Sequence, residues 1–218
     1  MIIDLTSWRQ DKPLIVNLIK IKLTIKRQFD NVKEKRMRKI AMGIKDLTKI
    51  SMMTAVLAVL GVIPPIPLPI SPVPITIQSV APMMIGGVLG GKRGGLSVLL
   101  FIFLVACSLP LLAGGRGGIG FLFGPTGGYI FGWAVVAFGI GFCVTRLKHK
   151  SFIKVFSINL LFGLGVLYVC GASYLAATSG MGFGEALWLN VFYIPGDVVK
   201  ALLATVITLR VLKAMPTI

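Results

Sequence analysis

The chain has 218 residues, 56% of them hydrophobic and only 14% charged, with a formal net charge of +16. Uncharged runs over 51–91, 94–115, 117–145 and 155–184 leave no charged face for surface helices, which excludes a soluble globular domain. The distribution of the charge excludes nucleic acid as a partner. Residues 1–50 hold 13 of the 23 Lys and Arg with five acids, and the remaining cations stand at the ends of apolar runs rather than in a phosphate-binding stripe.

A membrane span needs about 20 apolar residues to cross a ~30 Å hydrocarbon core, so the apolar runs hold room for about six helices. Residues 1–45 are basic and mixed. They read either as a cytoplasmic extension able to lie on an anionic lipid surface or as residues upstream of a start at Met42. No signal peptide is expected, because the first strongly apolar run begins near residue 50. Residues 46–215 are expected to form one transmembrane domain. Its first segment, 47–63, ends at a stretch with six prolines between Pro64 and Pro74, which favours an extended path over a helix. Segment two covers 77–91 and stops at Lys92-Arg93. Segment three covers 96–112, followed by a glycine-rich connection, Gly114-Gly-Arg-Gly-Gly-Ile-Gly120. Segment four, 126–144, ends at Arg146-Leu-Lys-His-Lys150. Segments five and six cover 152–177 and 185–212, joined by Thr178-Ser-Gly-Met-Gly-Phe-Gly184, and Arg210 and Lys213 close the last.

With the N-terminus cytoplasmic, Lys92, Arg93, Arg146, Lys148, Lys150, Lys154, Arg210 and Lys213 all fall inside. The three outer loops then carry one basic residue, Arg116. The fold class is therefore an all-α, six-helix integral membrane bundle with both termini cytoplasmic.

Several motifs lose their chemistry on inspection. Gly86-Gly-Val-Leu-Gly-Gly-Lys-Arg93 resembles a P-loop but has Arg93 where Ser or Thr must hold magnesium, and no strand precedes it. Gly115-x-Gly117-x-x-Gly120 fits a dinucleotide pattern without its strand–helix unit. Cys107, Cys143 and Cys170 lie in separate apolar runs, and His149 sits among lysines; neither pattern suits a metal or a nucleophile. The chain is expected to be no enzyme and to need no metal or cofactor.

Asp197 and Lys200 break the rule that apolar segments hold no ions. Each costs about 2.5–3.5 kcal/mol near a span centre, so an intramembrane pair reads first as a functional site. They share one helical face at i and i+3, just after a helix-breaking Pro195-Gly196. The spacing allows them to face a ligand separately or each other. Three roles stay open: substrate binding in transport, ion coupling in a secondary carrier for a small organic anion, or a structural ion pair in a membrane assembly protein. Arg116 stands among glycines that let the backbone, Gly117 included, approach a ligand closely; a solvated loop arginine is the alternative. Thr126–Tyr129 open segment four, where a helix N-terminus suits an anion, although Gly128-x-x-x-Gly132 points first to helix packing. Gln78 supplies either a neutral hydrogen bond at the outer mouth or a cap of segment two. Small residues at Ser51, Thr54, Ala55 and Ala58 allow a helix, internal or from another subunit, to come close.

Four stretches, Pro72-Val-Pro-Ile-Thr-Ile-Gln78, Gly114-Gly-Arg-Gly-Gly118, Gly124-Pro-Thr-Gly-Gly-Tyr129 and Pro195-Gly-Asp-Val-Val-Lys200, resemble BioY. This is the biotin-binding substrate (S) component family of energy-coupling-factor transporters. The similarity covers about residues 45–213. It implies a six-helix S-component fold in the cell membrane, biotin as ligand, and import with a transmembrane coupling protein and two cytoplasmic ATPases. By this resemblance Asp197 and Lys200 match the acidic and basic positions of the ligand site, and Arg116 its glycine-loop position. Asp197 then suits a ureido N–H, while Lys200 and Arg116 suit the ureido oxygen or the carboxylate. The family's Ala-x-x-x-Ala contact for the coupling protein has Ser51 or Thr54 in place of its first Ala.

Overall fold

The computed structural model describes residues 43–214, in two compact units that divide between Leu47 and Thr48. Almost all of the 1–45 extension lies outside the described residues. Of the first unit, only the exposed helical residues 43–47 are described, apart from a half-buried Asp46.

The second unit opens with α1, covering residues 48–60. The proline stretch that follows is a short antiparallel hairpin, β1 (Ile66–Leu68) and β2 (Ser71–Ile75), with Ile66 opposite Ile75 and Leu68 opposite Ser71. An extended path was expected there; pairing was not. Prolines lack the N–H that a ladder needs, which keeps the hairpin two strands wide and irregular between Ile66 and Leu68.

A 3₁₀ turn, Ile77–Ser79, leads into α2 (Val80–Leu89), and α3 is Gly91–Ala106. Helix α2 is apolar on every side and nine of its ten residues are buried, so it forms the centre of the bundle against α3, α5 and α9. No loop separates α2 from α3. Gly90, at φ +80°, reverses the chain in one residue while its N–H stays bonded to Gly86 O at 3.0 Å. The third segment therefore starts five residues before the predicted 96, and Lys92 and Arg93 open a helix rather than close one.

After α3 an irregular stretch leads to α4 (Ile119–Phe123), a short helix inside what reads as a glycine-rich loop. Next comes α5 (Gly127–Arg146). Helix α6 (Phe152–Leu160), a π-helical stretch (Leu161–Val166) and α7 (Leu167–Ser179) follow one another as a single rod. Helix α8 (Phe183–Leu189), a 3₁₀ turn (Asn190–Tyr193) and α9 (Ile194–Ala214) make the last run.

Three of these runs, Gly127–Arg146, Phe152–Ser179 and Phe183–Ala214, are long and apolar enough to cross a membrane; Ile77–Leu89 is apolar but shorter. Large apolar side chains such as Ile153, Val59 and Trp188 are more than 60% exposed, as a lipid-facing surface requires and a soluble surface avoids.

Lipid tails are as apolar as leucine, so helices associate through close packing and hydrogen bonds. The sequence meets both demands. A Cβ on Gly86 would stand 2.3 Å from Ala137 O, and one on Gly141 2.3 Å from Gly90 C, so α2, α3 and α5 meet backbone to backbone. Phe101 and Trp133 pack with ring centroids 6.3 Å apart. Asn159 on α6 donates to Thr205 Oγ1 on α9 at 2.8 Å, and Thr205 donates in turn to Ala201 O. Such interhelical bonds contribute about 0.6 kcal/mol each.

Candidate ligand site

The line 183–214 is not a continuous helix with a charged pair at its middle. Asn190–Tyr193 tighten into a 3₁₀ turn and α9 starts afresh at Ile194. Pro195 sits in the first turn, where a missing N–H costs nothing. Asp197 is thereby an acid in the first turn of a helix, where the dipole favours it. Pro195-Gly196, expected to break a span, starts one instead.

Asp197 and Lys200 are each 7% exposed. Lys200 Nζ donates to Asp197 Oδ1 at 2.7 Å, and the Tyr168 hydroxyl of α7 donates to Asp197 Oδ2 at 2.7 Å. The two charges face each other, and both carboxylate oxygens are engaged. Each oxygen keeps a further lone pair for a ligand.

Around this group lies a cavity of about 110 Å³, lined by α5, α7, α9, the hairpin, the turn that follows it and the glycine loop. A single water needs ~10–15 Å³ on this scale, so the space suits a small molecule. Its walls are mostly apolar, with Trp133, Ile130 and Leu167 on one side and Phe121 on another. The polar groups come from ten of the twenty lining residues: Asp197, Lys200, Tyr168, Tyr129, Tyr193, Gln78, Thr76, Ser79, Thr126 and Arg116.

Three tyrosines hold the polar rim. Tyr129 on α5 donates to Asn190 Oδ1 at 2.7 Å, fixing the 3₁₀ turn ahead of α9. Tyr193 bonds Ser71 Oγ and Val73 O, tying the hairpin to that same turn. Tyr193→Phe is expected to loosen the hairpin, at a cost of about 1 kcal/mol. Pro72 and Pro74 carry no N–H, so the readout is faster hydrogen exchange at Val73 and Ile75; unchanged exchange at both would refute the tie.

Arg116 reaches the cavity because the chain folds back on itself. Leu112 and Arg116 exchange backbone hydrogen bonds of 2.8 and 3.1 Å, with Gly114 and Gly115 at φ +76° and +69° between them. Only glycine adopts two successive left-handed residues cheaply. Gly117 does not line the cavity. A Cβ there would stand 2.1 Å from Leu109 O, so this glycine serves the loop crossing and not the ligand wall. Thr126 lines the cavity but does not cap α5, since its hydroxyl donates to Phe121 O at 3.3 Å. Gly128 packs against Tyr174, with 2.2 Å from its would-be Cβ to Tyr174 Cβ.

Gln78 is fully buried in the cavity wall, not at an outer rim. On α1, Ser51 and Ala55 are exposed and Ala58 is half-buried. Thr54 turns inward, 3% exposed, its hydroxyl 2.9 Å from both Ile50 O and Ser97 O. Thr54 thus holds α1 to α3 and is unavailable to a partner; its hydroxyl demanded a buried acceptor.

Among the lining residues that sequence reasoning missed are Tyr168, Tyr193 and Trp133, and it missed Asn190, the partner of Tyr129. The available signal was the tyrosines: three of the chain's four surround Asp197, and a buried tyrosine hydroxyl needs a partner.

A helical membrane bundle that closes a small, mostly apolar cavity over one buried ion pair is a binding component for a small polar molecule. Residues 31–217 match the BioY family, and the chain belongs to it. The match begins at residue 31, inside the stretch set aside from the sequence as an extension. The chain is 39% identical over 181 residues to the biotin transporter BioY of Rhizobium etli, covering 80% of this chain and 97% of the relative. It is 40% identical over 173 residues to a BioY of Lactococcus lactis subsp. cremoris, covering 78% and 92%. The crystal structure of the S-component for biotin from an ECF-type ABC transporter superposes with a TM-score of 0.76 at 39% identity, covering 79% of this chain and 93% of that one. The fold is the S-component fold, and the family is one of membrane transporters, not enzymes.

Proposed function

We propose that this chain is the high-affinity biotin-binding component of an ECF-type vitamin uptake transporter, taking biotin from outside the cell for ATP-driven import. The cavity carries the reading. Its acceptors, Asp197 foremost, suit the two ureido N–H groups; Lys200 and Arg116 suit the ureido oxygen and the valerate carboxylate. Trp133, Ile130, Leu167 and Phe121 supply apolar surface for the thiophane ring and the methylene chain.

Residues 46–215 form the binding domain and 1–45 a basic cytoplasmic extension. Six crossings, by α1, α2, α3, α5, α6–α7 and α8–α9, leave both termini cytoplasmic in the cell membrane and Arg116 as the one basic residue of the outer loops. The Gly86–Arg93 stretch, closest to a P-loop, is a helix–helix turn, so the energy comes from partners: a transmembrane coupling protein and two cytoplasmic ATPases. Ser51 and Ala55, exposed on α1, are the contact for the coupling protein.

The full chain in lipid nanodiscs is expected to bind labelled biotin saturably, with no displacement by excess thiamine or riboflavin. Arg116→Ala weakens binding about tenfold, the loss of one charge-assisted hydrogen bond at an exposed site. Absence of saturable biotin binding would sink the reading. Uptake by the chain alone that collapses with a protonophore would favour an ion-coupled carrier built on the same pair.

A further inference from the structure

The Asp197 carboxylate has two hydrogen-bond partners among the described residues, and they are not equivalent. Lys200 donates to Oδ1 from three residues further along the same helix, on a flexible four-carbon stem. It travels with α9 and cannot set where Asp197 stands against the other walls of the cavity. The Tyr168 hydroxyl donates to Oδ2 at 2.7 Å from α7, and among the described residues it is the carboxylate's one bond to another element.

Counting protons fixes the direction of this bond. An ionised carboxylate has none and the phenol has one, and Tyr168 has no other partner among the described residues, so its proton goes to Oδ2. The other two tyrosines of the rim are engaged elsewhere, Tyr129 with Asn190 and Tyr193 with the hairpin. The donor is itself held in place. A phenol hydroxyl stands at the tip of a rigid ring, and this ring is buried in the apolar cluster of Val73, Ala172, Leu175 and Ala186. The bond therefore ties Asp197 to α7, whose Leu167 forms part of the cavity wall.

A donor at each oxygen stops the carboxylate from turning about its last bond, so the remaining lone pairs keep one direction. Without the phenol, both oxygens are free to turn toward the Lys200 ammonium. The pair then closes on itself and occupies lone pairs and protons that a polar ligand needs.

Resting on the biotin reading of this site, we propose that Tyr168 is a positioning residue that holds Asp197 open for a ureido N–H. It needs no contact with the ligand. Its effect passes through Asp197 alone, as preorganisation of the one carboxylate in the cavity.

The test is a binding cycle on the full chain in nanodiscs. The variant is Tyr168→Phe, which keeps the ring and its apolar contacts and removes only the hydroxyl. The ligands are biotin and its two mono-N-methylated ureido analogues. Tyr168→Phe is expected to bind biotin about 10–100-fold more weakly, the worth of a hydrogen bond to a charged group. One analogue carries its methyl where Asp197 would accept a proton, and so lacks the bond that Tyr168 prepares. Tyr168→Phe should bind that analogue as well as wild type does, and show its full loss with the other. A packing role would instead weaken all three ligands by one common factor. That result overturns the proposal, as does undiminished biotin binding by Tyr168→Phe.

A second variant restores the donor by different chemistry. 4-Aminophenylalanine incorporated at residue 168 places an N–H close to where the hydroxyl stood, and it should recover most of the lost affinity. Failure to recover it means that donation to Asp197 is not what the ligand senses, and the proposal falls while the biotin reading stands. A wild-type chain that binds no biotin overturns both.

Discussion

Asp197→Asn is expected to abolish saturable biotin binding and to lower thermal stability markedly. The amide keeps the shape of the carboxylate and removes its charge. Lys200, 7% exposed, is then an ammonium without its counter-charge. Removing one partner from a buried pair costs about 3–5 kcal/mol, because the other charge stays behind. The Tyr168 hydroxyl, which donates to Oδ2, faces either an amide oxygen or an amide nitrogen, and only the first accepts its proton. The double variant Asp197→Asn/Lys200→Met removes both charges and should recover most of the stability with none of the binding. Thermal melts and biotin titrations on the two variants decide between roles. Binding retained in the single variant, or restored in the double, would mean the pair serves the fold and not the ligand.

Gly141→Val is expected to prevent folding of the bundle, or to cost about 3 kcal/mol or more where some protein survives, at the upper end of overpacking penalties. The reason is the kind of atom in the way. A Cβ at Gly141 meets Gly90 C at 2.3 Å, Gly91 N at 2.4 Å and Gly86 O at 2.7 Å, all backbone. No side chain is present to swing aside, and the turn at Gly90 that joins α2 to α3 is itself the obstacle. Gly184→Ala is the matched control. It lies in helix α8 with nothing within 4 Å of an added Cβ, so it should be neutral or stabilise by about 0.5–1 kcal/mol. Fluorescence-detected size-exclusion after heating compares the two directly. Equal melting of both variants would show that the three helices tolerate separation at this crossing.

The parts of the site that could be read from the sequence were those that violate its composition. Asp197 and Lys200 are ionised groups in an apolar run, and Arg116 is a lone cation in a glycine-rich connection; all three line the cavity. Tyr168 and Tyr193 escaped notice because a tyrosine is amphipathic and blends into an apolar segment. Its hydroxyl gains meaning only when a partner from another helix is known. Hydropathy carried the reading of a helical membrane bundle, but two boundaries were misread for one reason. Glycine beside a charged pair at Gly91-Lys-Arg93 looks like a helix end, yet a single left-handed Gly90 supplies the whole turn. Pro195-Gly196 looks like a helix break, although proline in a first turn is a helix start. The hairpin was illegible because six prolines argue against pairing. What allows it is a two-residue connection and a tyrosine from far along the chain holding Val73 O.

The π-helical stretch between α6 and α7 has a consequence for how this chain tolerates changes in length. Inward-facing positions along that rod recur every fourth residue: Val155, Asn159, Gly163, Leu167, Gly171 and Leu175 are all buried. In a regular α-helix each such step drifts by about 40° around the axis, so a strict repeat of four would wind off the bundle within a few turns. Leu161–Val166 absorb part of that drift by widening one turn. The stretch acts as an intercalary day does in a calendar, holding two counts in phase that would otherwise separate. Below it, Asn159 keeps its appointment with Thr205; above it, Tyr168 keeps its own with Asp197. A single residue lost between 161 and 166 therefore lets the stretch close as regular α-helix with both partnerships kept, whereas the same loss elsewhere between Asn159 and Tyr168 turns one half about 100° away from the other.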